Sequence, residues 1–140
     1  MKNIICVVLF LFTWSIMYAQ NPVGKSSSKV SQSVQSEKAV FSTDMKVLNF
    51  GTITMGTSKT IDLKFINTGK KTLVIKSVYT NCGCTTINYP EEPFAPGKSG
   101  VIKVTYTPTD EGPFNKTITI NTNAANATES IKIEGITVEK

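Results

Sequence analysis

Two cysteines separated by a single glycine, Cys82-Gly83-Cys84, are the side chains of this chain with the clearest capacity for chemistry. On an extended strand, residues two apart share a face with Cα atoms about 6.6–6.8 Å apart. That separation lies at the upper limit of what a disulfide spans, and the glycine lets the backbone pucker inward. A bridge there would close a very small ring and be comparatively easy to reduce. The sequence therefore predicts Cys82 and Cys84 as a disulfide or redox pair.

Two other roles for the cysteine pair stay open. The sulfurs could be small, inert thiols or an inert local bridge at a strand end, or they could be soft ligands for Cu(I). A structural zinc site needs four ligands, and this chain has no histidine to complete one. Met45 and Met55 are interpreted as core residues rather than copper ligands. We therefore assign no metal site, keep Cys82 and Cys84 as the candidate metal ligands, and expect no cofactor.

Catalytic groups are not expected. The absence of histidine excludes Ser-His-Asp and Cys-His arrangements. Glu91 and Glu92 are adjacent in a proline-flanked loop, where their side chains diverge, unlike a positioned pair of glycosidase carboxylates. The sequence predicts a protein that is not an enzyme.

Aromatic residues beyond the cysteines are candidates for contact with a partner. If Tyr89 and Phe94 point outward, they form a small patch that suits another protein; the alternative is that Phe94 caps the edge of the fold. All basic residues are lysines, so the arginine forks and basic stripe of a nucleic-acid interface are missing. We expect an envelope protein or another envelope component as partner, and no nucleic acid.

The elements that position these residues read as β-strands from Val40 onward. Apolar and polar residues alternate in several short runs, such as Ile61 to Phe65 and Ile102 to Tyr106, and turn residues separate the runs. Alternation of this kind is typical of antiparallel strands packed on one face. The sequence predicts an all-β fold, a single immunoglobulin-like antiparallel β-sandwich of about seven strands over residues 40–140.

The residues before the predicted sandwich indicate a targeting segment followed by a spacer. Lys2, the apolar run from Ile4 to Met17 and the small residue Ala19 predict a signal peptide over residues 1–19. Residues 20–39 are rich in serine, lysine and glutamine and predict a flexible linker. We expect an exported protein of the periplasm, the cell envelope or the secreted fraction, with no membrane span after cleavage of the signal.

An ordered set of motifs resembles a known family. Phe50-Gly51-Thr52-Ile53 is followed by Phe65-Ile66-Asn67-Thr68-Gly69, by Cys82-Gly83-Cys84-Thr85 and by Ile133-Glu134-Gly135. This set resembles the domain-of-unknown-function 1573 family of exported bacterial proteins, common in Bacteroidetes. More distantly, it resembles the immunoglobulin-like domains of the ASPM/SPD-2/hydin type. The resemblance implies a sandwich fold and the cell envelope, and it brings no catalytic residues.

Overall fold

A computed structural model of the chain describes residues 37–140. The predicted signal peptide and most of the predicted linker lie outside the described residues. Ala39 is 2% exposed, and the Lys70 amide donates to the Lys38 carbonyl at 3.0 Å. The folded domain therefore begins slightly before Val40, within the last residues assigned to the linker.

Eight strands form two four-stranded sheets among the described residues. They are β1 (Phe41–Ser42), β2 (Val47–Thr54), β3 (Lys59–Asn67), β4 (Ile75–Thr80), β5 (Thr85–Asn88), β6 (Ser99–Tyr106), β7 (Gly112–Thr122) and β8 (Thr128–Val138). Sheet A has the order β1-β3-β6-β5, and sheet B has the order β2-β8-β7-β4. Consecutive strands thus alternate between the sheets at several points, and β4 and β5 are the edges of opposite sheets.

Alternating side chains build the core between the sheets. Leu63 and Phe65 on β3 and Ile118 and Ile120 on β7 are buried in one core, and the residues that alternate with them along each strand are more exposed. The aromatic rings of Phe50, Tyr106 and Phe114 pack together at one end of this core. The predicted immunoglobulin-like β-sandwich is confirmed.

Three details differ from the sequence-based expectation. The strand number is eight because β1 is a two-residue segment that no periodicity reveals. β2 and β8 pair in parallel, whereas the other strand pairs are antiparallel. Pro113 lies within β7 rather than in the preceding turn. At Pro113, β7 pairs with β8 on one side only, because β4 pairs with β7 further along the strand. Its missing N–H is therefore tolerated there.

Residues 37–140 contain no helix that is long and apolar enough to cross a membrane.

Candidate functional site

The cysteine pair lies in the turn that carries the chain from sheet B to sheet A. Cys82 and Cys84 follow β4 and precede β5, and their sulfurs form a disulfide with the Cα atoms 5.3 Å apart. The Thr85 amide donates to the Cys82 carbonyl at 3.3 Å, and the Thr107 amide donates to the Cys84 carbonyl at 2.9 Å. The pair is thus closer than two residues of one extended strand, because the chain turns between them.

The glycine between the cysteines is not required by space or by backbone conformation. A Cβ on Gly83 would meet no atom within 4 Å, and Gly83 is not among the glycines with positive φ. A residue with a side chain can therefore adopt the same backbone conformation at position 83. Nothing in the structure explains why glycine stands at position 83.

Two loops at one end of the sandwich hold the disulfide turn through hydrogen bonds. The Gly56 amide donates to the Pro108 carbonyl at 2.9 Å, and the Ser58 and Thr107 hydroxyls are hydrogen-bonded at 2.7 Å. Because Thr107 also holds Cys84, the β2–β3 loop, the β6–β7 loop and the disulfide turn meet at one end of the sandwich. This network fixes the position of the turn relative to sheet A.

Two threonine hydroxyls flank the disulfide without a partner. The Oγ1 atoms of Thr80 and Thr85 are buried and make no hydrogen bond with the described residues; Thr137 is the third such case. A buried hydroxyl without a partner costs about 1–3 kcal/mol. Two of the three such hydroxyls among the described residues therefore lie on either side of the disulfide, at the last residue of β4 and the first residue of β5.

The side of the sandwich between β4 and β5 holds most of the half-buried apolar side chains that pack against the core. Seven half-buried apolar side chains pack against the core. Five of them belong to β4, the disulfide turn, β5 or the start of the next loop: Val78, Cys82, Cys84, Ile87 and Tyr89. We call this side the β4–β5 seam and define it by the residues Val78, Thr80, Cys82, Cys84, Thr85, Ile87 and Tyr89. It is an apolar strip that water reaches.

The predicted partner-contact residues have different positions. Tyr89 is half-buried in the seam, whereas Phe94 is 7% exposed and packs edge-on against Phe65 with ring centroids 5.0 Å apart. The interpretation of Phe94 as a partner contact is therefore wrong, and the alternative, a cap on the sandwich edge, describes it. The Leu73 amide and carbonyl both pair with Phe94, which holds the ring at that edge.

Tyr79 was not predicted to be a contact residue, although it flanks the cysteines on the side opposite Tyr89. Its side chain is 54% exposed on β4, next to Thr80 of the seam. A bulge between Ile75 and Ser77 shifts the alternation along β4, so the outward direction of Tyr79 does not follow from counting residues. The signal that could have found it is its position three residues before Cys82.

The seam carries no charge. The stretch from Val78 to Tyr89 contains no lysine, aspartate or glutamate. Burial raises the pKa of the neighbouring Tyr106 phenol, and the Asp110 carboxylate adds to the rise, so this phenol is neutral at physiological pH. The other shifted group lies elsewhere: the hydrogen bond from Lys46 lowers the pKa of Glu129. The seam is therefore suited to apolar and neutral polar contacts.

The described residues offer little to a metal ion or a small molecule at this position. No group of three or more histidine, cysteine or acidic residues is close enough to hold a metal in residues 37–140. The bonded sulfurs are not thiolates, so Cys82 and Cys84 could act as Cu(I) ligands only after reduction. Two pronounced depressions lie on the sheets, around Lys64 and Val101 and around Thr52 and Ile136, and no seam residue lines them. The seam has the form of an open edge rather than a pocket.

Comparison with known proteins gives a family and a fold. Residues 41–137 match the model of DUF1573, a family described as protein of unknown function. No curated protein matches the chain. Among solved structures, the chain is similar to a protein of unknown function from Porphyromonas gingivalis W83, with a TM-score of 0.64 and 19% identity over 70% of this chain and 46% of that one.

Two further solved structures share the architecture. The ASH/PapD-like domain 7 of human CEP192 has a TM-score of 0.57 and 13% identity, with 76% of this chain and 89% of that domain covered. The VesB protease of Vibrio cholerae has a TM-score of 0.57 and 11% identity, with 70% of this chain and 31% of that chain covered. This chain thus spans less than half the length of the Porphyromonas and Vibrio proteins. At these identities the likeness shows the fold alone.

Proposed function

The chain belongs to the DUF1573 family of proteins of unknown function, and from that premise we propose that it is a non-enzymatic binding module of the bacterial cell envelope. It associates with another envelope protein through the β4–β5 seam. The observation that carries this proposal is the concentration of half-buried, uncharged apolar side chains along that seam. The proposed location rests on the predicted signal peptide and on the family resemblance.

Energetics favour a protein partner at the seam. Covering apolar surface contributes about 25 cal/mol per Å² removed from water, and half-exposed Val78, Ile87 and Tyr89 still have such surface to lose. Tyr79 stands beside them, and tyrosine is enriched in protein interfaces because it combines a large apolar ring with a polar tip. Apolar contact therefore supplies the affinity.

Replacing Tyr79 by serine tests the association. Chemical cross-linking in intact envelopes should recover a defined complex with the unsubstituted chain, and Tyr79→Ser should weaken it about tenfold or more, as loss of a central aromatic contact does. The matched control is Ile136→Ser, since Ile136 is 52% exposed on the outer face of sheet B, away from the seam. Equal recovery of the complex with both variants, or no complex at all, would contradict the proposal.

The disulfide favours a second function, thiol–disulfide exchange. Both sulfurs are half-buried in an edge turn and are joined across one residue. A thiolate of an envelope dithiol oxidoreductase would attack one sulfur and form a mixed disulfide while the other sulfur leaves as thiolate. The second thiol of the reductant then releases the pair. Two electrons pass to Cys82 and Cys84, which end as thiols, and the reductant ends as a disulfide.

Alkylation before and after reduction tests this second function. The folded protein should take no label on Cys82 or Cys84 until a mild dithiol such as dithiothreitol is added without denaturant, and should then take two, because the turn is accessible. Intact mass reports the number of labels. Reduction that requires denaturant would exclude exchange in the folded state, and two labels without any reductant would show that the pair is not bonded.

A further inference from the structure

The four sheet edges of the sandwich differ in how they are protected against pairing with another strand. β1 has two residues, β2 is broken by a bulge at Gly51, and β4 is broken by a bulge at Lys76. The part of β7 that β4 leaves uncovered contains Pro113 and Lys116. Short strands, bulges, prolines and lysines are the usual devices that prevent edge pairing.

The β5 edge has none of these chemical devices. Its residues Thr85–Asn88 pair with β6 in continuous register and include no proline, no charge and no bulge. The strand is short, but the disulfide and the Thr107–Cys84 hydrogen bond fix its beginning. β5 is therefore an ordered edge whose only protection among these devices is its shortness.

The hydrogen-bond pattern shows which backbone groups of β5 point outward. Because the Cys84 carbonyl accepts from Thr107, antiparallel alternation directs the backbone groups of Thr86 and Asn88 toward β6. The backbone groups of Thr85 and Ile87 then point away from the sheet. The Thr85 amide is used in the turn, which leaves the Thr85 carbonyl and the Ile87 amide and carbonyl without a partner among the described residues.

We infer that β5 accepts an extended strand of the partner protein, which adds to sheet A at Ile87. This inference rests on the proposed binding function and names the kind of segment that is bound. Outward backbone donors and acceptors in a regular edge strand are complementary to an extended peptide, which pairs with them through main-chain hydrogen bonds. The half-buried seam lies directly beside this edge, so a strand added there also covers apolar surface.

The rows of side chains across sheet A specify the incoming strand. On the inner face, Ile61, Val104 and Ile87 form an apolar row. On the outer face, Thr60, Thr105 and Thr86 form one polar row, and the Thr60 and Thr105 hydroxyls are hydrogen-bonded at 2.8 Å. The second polar row ends at Asn88. The strand that continues these rows has an apolar residue opposite Ile87 and a polar residue on each side of it.

Site-specific photo-cross-linking in the native envelope tests the inference. The photoreactive residue p-benzoylphenylalanine replaces Asn88 in the full chain, and in a control chain it replaces Asp62, which lies two strands away on the same face. We expect an adduct from position 88 and none from position 62. The cross-linked segment of the partner should have an apolar residue with a polar residue on each side of it.

Edge variants in the same chain decide whether backbone pairing is responsible. Ile87→Pro removes the outward N–H without touching the hydrogen bonds to β6, and Ile87→Val keeps that N–H. Ile87→Pro should reduce the adduct about tenfold, the factor expected for one or two lost hydrogen bonds, while Ile87→Val retains it. If Ile87→Pro does not fold, Thr86→Lys places a charge on the exposed face of the edge and should have the same effect.

The outcomes separate this inference from the proposed function. An adduct that neither edge variant reduces, or an adduct with a second copy of this chain, overturns the inference. If position 88 gives no adduct while the Tyr79-dependent complex still forms, the strand-addition inference is wrong and the binding function stands. If neither forms, the proposed function fails as well.

Discussion

Replacement of Asn67 by leucine is expected to destabilise the sandwich by about 3 kcal/mol or more, because it removes four hydrogen bonds and leaves three backbone groups without a partner: the amides of Val40 and Gly69 and the carbonyl of Lys71. Asn67 is fully buried at the end of β3. Its Oδ1 accepts from the amides of Val40 at 3.2 Å and Gly69 at 3.0 Å. Its Nδ2 donates to the carbonyls of Lys71 at 2.8 Å and Phe94 at 2.9 Å. Leucine has a similar shape and can make none of these bonds.

Urea unfolding followed by circular dichroism measures this effect. The control is Asn115→Leu, since Asn115 is exposed on β7 and its side chain makes no hydrogen bond with the described residues. We expect the control to change the free energy of unfolding by less than about 0.5 kcal/mol, as surface substitutions usually do. Similar midpoints for both variants would show that the Asn67 hydrogen bonds do not hold this end of the sandwich together.

The second large effect is expected at Gly100, opposite Phe65 in sheet A. A Cβ at this position would overlap the Phe65 ring and lie 2.7 Å from Cε1 of Phe94. Both rings are buried and pack against each other, so neither can move without opening the core. Gly100→Ala should therefore cost about 2–3 kcal/mol of stability through overpacking.

Thermal unfolding of Gly100→Ala beside Gly83→Ala checks this prediction. The Gly83 variant is the matched control, because its added methyl group would meet no atom within 4 Å. We expect a clearly lower midpoint for Gly100→Ala and an unchanged midpoint for Gly83→Ala. The packing account would be wrong if both variants melted together.

The buried strands were predictable because their pattern is local. Leu63 and Phe65 alternate with charged residues, and side chains two residues apart on a strand lie on the same face of the sheet. The turns between the runs were predictable for the same reason, since residues such as asparagine and glycine favour turns by themselves. The fold class follows from such patterns without any long-range information.

The candidate site was predictable only in part, because its geometry depends on distant residues. Phe94 is a single aromatic residue in a proline-containing loop, and its burial depends on the absence of a side chain at Gly100. The spacing of Cys82 and Cys84 left free thiols, a bridge and a copper site open. The turn between the sheets, which brings the sulfurs together, is set by the pairing of β5 with β6.

Hydroxyl-radical footprinting of the chain in isolated envelopes and in purified form tests the central claim most directly. The account predicts that Tyr79 and Tyr89 lose most of their reactivity in the envelope, because a partner covers the β4–β5 seam, to which Tyr89 belongs, and the adjacent Tyr79. Met55, which is exposed at the end of β2 outside the seam, should keep its reactivity. Equal modification of Tyr79 and Tyr89 in both preparations would contradict the account, because the seam would then be open to water in the envelope as well.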